Sequence, residues 1–192
     1  YPVSGLDEVN EVCAAGREAA IALRGMSDRE ERIARFLDDY ALAIEASADA
    51  LCEMAHRETA LPVTPRLKAV ELPRTTNQLR QAAAAVRARS WCMATVDTKA
   101  NIRSCYAPLG GPVVVFGPNN FPFAFNSAAG GDFVAAVAAG NPVIAKANTS
   151  HPGTSRKLAE LANAAAEQTR MPRGTVQMLY RTGHADGERM VA

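Results

Sequence analysis

The sequence has no excess of either charge sign: 21 Lys and Arg stand against 20 Asp and Glu, a formal net charge of +1. So weak a field gives no long-range attraction to nucleic acid or to an anionic membrane, and neither is expected as a partner. Long apolar runs are missing too. Stretches such as residues 133–139 are far too short to span a bilayer. No basic segment leads into an apolar run, so no signal peptide is expected. The four cysteines, Cys13, Cys52, Cys92 and Cys105, include no Cys-x-x-Cys pair and have no His nearby at ligand spacing. That argues against a zinc site, and no metal is expected. The pattern fits reduced, structural thiols in a cytoplasmic protein. There is no internal repeat and no low-complexity tail. Asn148-Thr149-Ser150 is formally a glycosylation sequon, but nothing else points to secretion. The first residue is Tyr1 rather than Met, as expected of a fragment or of a chain whose disordered ends are not included.

A chain of 192 residues can build one domain with a sizeable core. Its first half, residues 1–90, reads as helical. A helix is expected over 6–23, stopping at Gly25. Ser27-Asp28-Arg29-Glu30 has the form of a capping box, with Ser27 as cap and Glu30 reaching back. Ile33, Phe36, Leu37, Tyr40, Ala41 and Ile44 follow at helical spacing. A short helix over 48–59 comes next. Another starts near Pro65, with Pro73 expected to kink or break it, and 82–89 closes the helical half.

The texture changes near Trp91. Residues 101–107 alternate and read as a strand. Val113-Val114-Val115-Phe116 is an apolar run expected to be buried on both faces. Residues 127–139 are Ala-rich and expected to be helical up to Gly140. Residues 142–146 and 176–180 read as strands flanking a helix that Pro152 opens. Residues 183–187 read as a loop before a last helix. Strands alternating with helices imply right-handed crossovers and a parallel sheet, so the fold class is α/β. Ligands of such sheets bind beyond the carboxyl ends of the strands. Those ends carry Asn119-Asn120, residues 146–149 and residues 181–187, which would face one crevice. A purely helical structural assembly is the competing reading, and the strand-rich second half argues against it.

Two segments carry a family resemblance. Pro108-Leu-Gly-Gly-Pro-Val-Val-Val-Phe-Gly-Pro-Asn-Asn-Phe-Pro122 and Ala138-Ala-Gly-Asn-Pro-Val-Ile-Ala-Lys146 resemble the aldehyde dehydrogenase superfamily. Residues 158–160 (Leu-Ala-Glu) and Met171-Pro172-Arg173-Gly174 fit as well. Glu58-Thr59 is similar to the family's Glu-Thr-Gly segment, with Ala60 in the Gly place. The resemblance implies the N-terminal helices and part of a Rossmann-like parallel sheet. All 192 residues would then be the N-terminal part of a cofactor-binding domain, with 1–90 helical and 91–192 nucleotide-binding.

The resemblance also implies site residues. Asn120, which alone reads as a turn residue before Pro122, becomes the amide donor to the oxyanion of a thiohemiacetal. Lys146, otherwise a solvated strand end, hydrogen-bonds the adenosine ribose. Phe116, Pro118, Asn120, Lys146, Thr149, Gly183 and Gly187 make up the cofactor contacts, the two glycines allowing close approach to the pyrophosphate. NAD-preferring members place Glu at the position of Thr149, where it repels a 2′-phosphate. The run 146–155 is similar to an NADP-preferring branch acting on fatty aldehydes and on the semialdehyde of 2-oxoglutarate. NADP is therefore the expected cofactor, with NAD the alternative, and Arg181 or His184 the candidate cation for a 2′-phosphate. Phe121, Phe123 and Phe125 line the near wall of an aldehyde tunnel or pack the core.

The family's nucleophilic Cys and general-base Glu have no counterpart in this chain, so the catalytic domain is absent from it. The implied activity, aldehyde oxidation to a carboxylic acid by a homodimer or homotetramer, belongs to the parent enzyme. A truncated non-catalytic nucleotide-binding module is the alternative.

Overall fold

A computed structural model describes residues 1–191. Strand β1 (Val3–Ser4) leads into helices α1 (Leu6–Gly25), α2 (Arg29–Ala46) and α3 (Ala48–Thr59). Each turns one apolar stripe inward. On α2 that stripe is Ile33, Phe36, Leu37, Tyr40, Ala41 and Ile44, the residues whose spacing predicts it. Its start differs from expectation. The capping box does not form, because Asp28 precedes the helix and pairs with Arg32, while Glu30 pairs with Arg29 and Arg89. Guanidinium partners take the carboxylates that would have capped the backbone.

A wide-turned helical segment, Val63–Glu71, runs directly into α4 (Leu72–Ala88). The chain does not break at Pro73, because Glu71 and Leu72 are both helical and the non-helical residue of the stretch is Thr64. Pro73 lies in the first turn of α4, where the wide turns give way to α-helix. A short turn of helix, Ser90–Cys92, precedes an antiparallel hairpin of β2 (Thr95–Asp97) and β3 (Ile102–Ser104). The expected strand over 101–107 is thus confined to its middle. Both hairpin strands are exposed throughout.

The second half is built on β4 (Val113–Phe116), β5 (Val143–Lys146) and β6 (Val176–Leu179), parallel and in the order β4-β5-β6. Helix α5 (Gly131–Ala138) connects β4 to β5, and α6 (Pro152–Gln168) connects β5 to β6. Strand β7 (Arg181–Thr182) pairs in parallel with β1, and α7 (His184–Val191) follows. Ile144 and Leu179 face a small cluster with Val9 of α1 and Met190 of α7. Val143, Ala145 and Val176 face the larger core shared with α2, α4, α5 and α6. The sheet is therefore covered on both faces.

Three expectations are corrected here. Strand β4 is not buried on both faces: Val115 is buried, but Phe116 is 53% exposed, because β4 is an edge strand of the described sheet. Residues 127–130 are turns, and the helix starts only at Gly131. The Asn126 carboxamide holds that turn. It accepts from Ala128 N (2.9 Å) and donates to the Pro122 carbonyl (2.9 Å) and Ser155 Oγ (3.0 Å). Gly187 lies inside α7 rather than in a loop, its N–H bonded to the Gly183 carbonyl (2.9 Å).

The two halves share one core. Tyr40 lies at its centre, fully buried, with Oη 3.0 Å from the carbonyls of both Ala128 and Leu158. Burial pushes its phenol well above the ordinary value. All four cysteines are free thiols, and burial raises Cys52. No described helix is long and apolar enough to cross a membrane.

Candidate cofactor and oxyanion site

Strand register sets the geometry. Phe116 pairs with Lys146, and Lys146 with Leu179, so the three parallel strands end level. Beyond that row lies a cleft of about 290 Å³ lined by Phe116, Lys146, Thr182, Gly183, His184 and Gly187, among others. A neighbouring cleft of about 250 Å³ is lined by Thr149 and Arg181 with Asn148, Tyr180 and Tyr1. Lys146 and Ala147 are consecutive, as are Arg181 and Thr182, so the two clefts flank the same strand ends. Of the expected cofactor residues, Phe116, Lys146, Gly183 and Gly187 come together in the first and Thr149 lies in the second. Pro118 and Asn120 line neither. The two candidate cations are also separated: Arg181 shares a cleft with Thr149, whereas His184 stands 3.4 Å from Glu188 along α7. None of the four cysteines lines either cleft.

Gly187 spends its N–H on the Gly183 carbonyl, so it offers none to a ligand at the start of α7. The Asp186 carboxylate lies beside Gly183, 3.3 Å from where a Cβ would stand. The helix start therefore already carries a negative charge.

Two side chains stitch the loops at the strand ends together. Asn148 donates to the Gly117 carbonyl (2.9 Å) and accepts from Ser150 N (2.8 Å). The buried His151 donates from Nε2 to the Pro118 carbonyl (2.9 Å), since a carbonyl can only accept. On its other side Gly117 lies against the 125–127 turn, where a Cβ would stand 2.9 Å from Ser127 N.

The Asn120 loop rests on the helical half. Asn120 is exposed, and among the described residues its side-chain amide has no protein partner. Its carbonyl accepts from Arg66 Nη2 (3.2 Å), and the Arg66 guanidinium lies 4.5 Å over the Phe121 ring. Arg66 also pairs with Glu71, which is 1% exposed. The other Glu71 oxygen accepts from Phe123 N (2.7 Å) and Ala124 N (3.0 Å). The three phenylalanines divide. Phe123 is core, while Phe121 and Phe125 meet edge to face at 5.1 Å, with Arg74 over Phe125.

Sequence reasoning missed Glu71, Arg66, Asn148 and His151. For Glu71 a signal was available. Leu67, Glu71, Thr75, Leu79 and Ala83 recur every four residues along one buried stripe, so the single charge among them marks a buried, partnered carboxylate. Glu58 sits in a segment singled out for its resemblance. Its carboxylate accepts from Gly153 N (2.7 Å), Thr154 N (2.8 Å) and Thr154 Oγ1 (2.7 Å), capping α6 from across the chain.

Comparison with known proteins settles the family. A profile described as the aldehyde dehydrogenase family matches residues 1–192. This chain belongs to the aldehyde dehydrogenase family. It is 39% identical over 201 residues to alpha-ketoglutaric semialdehyde dehydrogenase 2 of Azospirillum brasilense, covering 100% of this chain and 37% of that protein. It is 37% identical over 184 residues to an alpha-ketoglutaric semialdehyde dehydrogenase of Acinetobacter baylyi, covering 91% of this chain and 34% of that protein. Among solved structures, a 1-pyrroline-5-carboxylate dehydrogenase superposes with a TM-score of 0.81 at 26% identity, covering 98% of this chain and 35% of that one. The aldehyde dehydrogenase chain thus spans about a third of the length of the relatives it matches.

Proposed function

We propose that the full-length protein is an NADP-preferring aldehyde dehydrogenase in which this chain holds the dinucleotide and supplies the oxyanion donor. The observation that carries the reading is the register that sets Phe116 and Lys146 level on one cleft facing the start of α7. These residues fit an adenosine. The Lys146 ammonium can donate to ribose hydroxyls from a rigid strand end, and the half-exposed Phe116 ring offers an apolar face to the base. On the other flank of the strand ends, Thr149 presents a neutral hydroxyl where a carboxylate would repel a 2′-phosphate, and Arg181 is the cation beside it. Bound NADP supplies the hydride acceptor.

Asn120 acts on the substrate. Its exposed amide, free of other partners, donates to the oxygen on which negative charge develops as a thiol adds to the aldehyde carbonyl. The thiol and the general base come from residues outside this chain. The two relatives are named for a semialdehyde that bears a carboxylate, and we extend that substrate class to this protein. The Arg66 and Arg74 guanidinium groups over Phe121 and Phe125 give the surroundings of the Asn120 loop the matching sign. The exposed β2–β3 hairpin, with Val96 and Ile102 in solvent, suits a homodimer or homotetramer, and the free thiols suit a cytoplasmic protein.

Steady-state assays of the full-length protein test the proposal. Oxidation of an ω-carboxylated aldehyde is expected with NADP, at a kcat/KM at least about tenfold above that with NAD, a difference of roughly 1.4 kcal/mol. Turnover with NAD alone, or with neither cofactor, would overturn it.

A further inference from the structure

Glu71 is a buried carboxylate whose partners lie on both sides of the residue proposed to donate to the oxyanion. One oxygen accepts from the backbone of Phe123 and Ala124, and the other pairs with Arg66. Arg66 then donates to the carbonyl of Asn120 itself and lies over Phe121. The segment is also pinned upstream, where His151 holds the Pro118 carbonyl. A loop tied at 118, 120, 123 and 124 fixes the backbone on either side of Asn120 and leaves its side chain exposed. Burying a carboxylate costs several kcal/mol unless ionic and hydrogen-bonding partners offset it. The stripe of Leu67, Thr75 and Leu79 would accommodate an apolar residue at position 71 without that cost. What the carboxylate supplies, and an apolar residue would not, is a fixed backbone on either side of Asn120.

From this geometry we infer that Glu71, acting with Arg66, is a positioning residue for the oxyanion donor. The inference rests on the reading of Asn120 as that donor. Such a donor works only when it stands about 2.7–3.1 Å from where the oxyanion forms, and a displacement of about 1 Å can cost about a hundredfold in rate. Glu71→Gln keeps the size of the side chain and its acceptor toward Phe123. It presents an amide N–H₂ to the Arg66 guanidinium, donor against donor, and so frees Arg66 and the Asn120 carbonyl.

A double-mutant cycle in the full-length enzyme tests this, with aldehyde oxidation measured for wild type, Asn120→Ala, Glu71→Gln and the double variant. Asn120→Ala is expected to lower kcat by about 100- to 1000-fold, the usual cost of one oxyanion donor. Glu71→Gln is expected to lower kcat by about 10- to 100-fold with KM changed less than about twofold, as for a contact made only in the transition state. In the Asn120→Ala background the same substitution should cost less than about threefold, because nothing is left to position. Arg66→Met, at the partly exposed member of the pair, should repeat the pattern more weakly and serves if Glu71→Gln does not fold. Full additivity, in which Glu71→Gln or Arg66→Met costs as much without Asn120 as with it, would overturn the positioning role. So would an unchanged kcat. An unchanged kcat in Asn120→Ala would instead sink the oxyanion reading, whatever Glu71→Gln does.

Discussion

Two carboxylates tie the helical half of this chain to the half that carries the parallel sheet, and they do so differently. Glu58, at the end of α3, accepts three hydrogen bonds from the first turn of α6. It has no guanidinium beside it among the described residues, and it acts as a helix cap supplied from across the chain. Gly153 makes that approach possible, since a Cβ there would stand 2.8 Å from Glu58 Oε1. Glu71 also accepts from two consecutive backbone N–H groups, but these belong to a loop, and Arg66 completes the arrangement. At Glu58 the helix dipole already favours the charge. At Glu71 no dipole helps, and a cation takes its place. The first carboxylate secures an element of the fold, and the second secures the loop that carries Asn120, the proposed oxyanion donor.

Substitutions break this comparison in order of size. Glu71→Ala in the full-length protein should lower the unfolding free energy by about 3 kcal/mol, since it strands two buried N–H groups and removes the partner of Arg66. A shift of the urea midpoint without a change in slope would check it. Tyr40 offers a neutral tie of the same kind, between α2 and two carbonyls of the second half. Tyr40→Phe should cost about 1–2 kcal/mol. Burial raises the phenol's folded value well above the ordinary 10.0. Its contribution is therefore whole below pH 10 and is lost as pH climbs through the raised value. A wild-type protein no more sensitive to alkali than Tyr40→Phe would contradict this.

Glu58→Ala should cost about 1–2 kcal/mol, in the range of a lost N-cap. Amide exchange should quicken first at Gly153 and Thr154. Exchange that quickened at Phe123 and Ala124 instead would erase the distinction between the two carboxylates. The smallest effect is a gain. Ala60 ends α3 at φ 58°, a left-handed conformation that strains any residue with a Cβ. Ala60→Gly should raise stability by about 0.5–1 kcal/mol, seen as a higher Tm.

The same pair of carboxylates shows what the sequence made legible. Helices and strands could be read because Gly25, Gly140, Pro152 and the apolar runs punctuate them, and the level strand ends follow from parallel topology. Asn120 and Lys146 were found through motifs that lie on such strand ends. What could not be read depended on partners distant in sequence. Glu58 was noticed as part of a motif, but its target lies 95 residues away. For Glu71 the four-residue stripe hinted at burial, but its partners Phe123 and Ala124 lie 52 and 53 residues away. The capping box at Ser27 failed because Glu30 pairs with the adjacent Arg29 at 2.8 Å, with Arg89, 59 residues on, as a longer second partner at 3.4 Å. Residues 127–130 read as helix because they are Ala-rich, while the side chain that makes them a turn is Asn126, just upstream.

The central claim is that the strand ends form an NADP site read by Thr149 and Arg181. Titration of the full-length protein with NADP and with NAD, by nucleotide fluorescence, tests it most directly when wild type is set beside Thr149→Glu. The account predicts that the introduced carboxylate weakens NADP by about 10- to 100-fold, roughly 1.4–2.8 kcal/mol of repulsion, and leaves NAD equal or tighter. If Thr149→Glu binds both nucleotides as the wild type does, the 2′-phosphate does not lie at this cleft, and the account of the site is wrong.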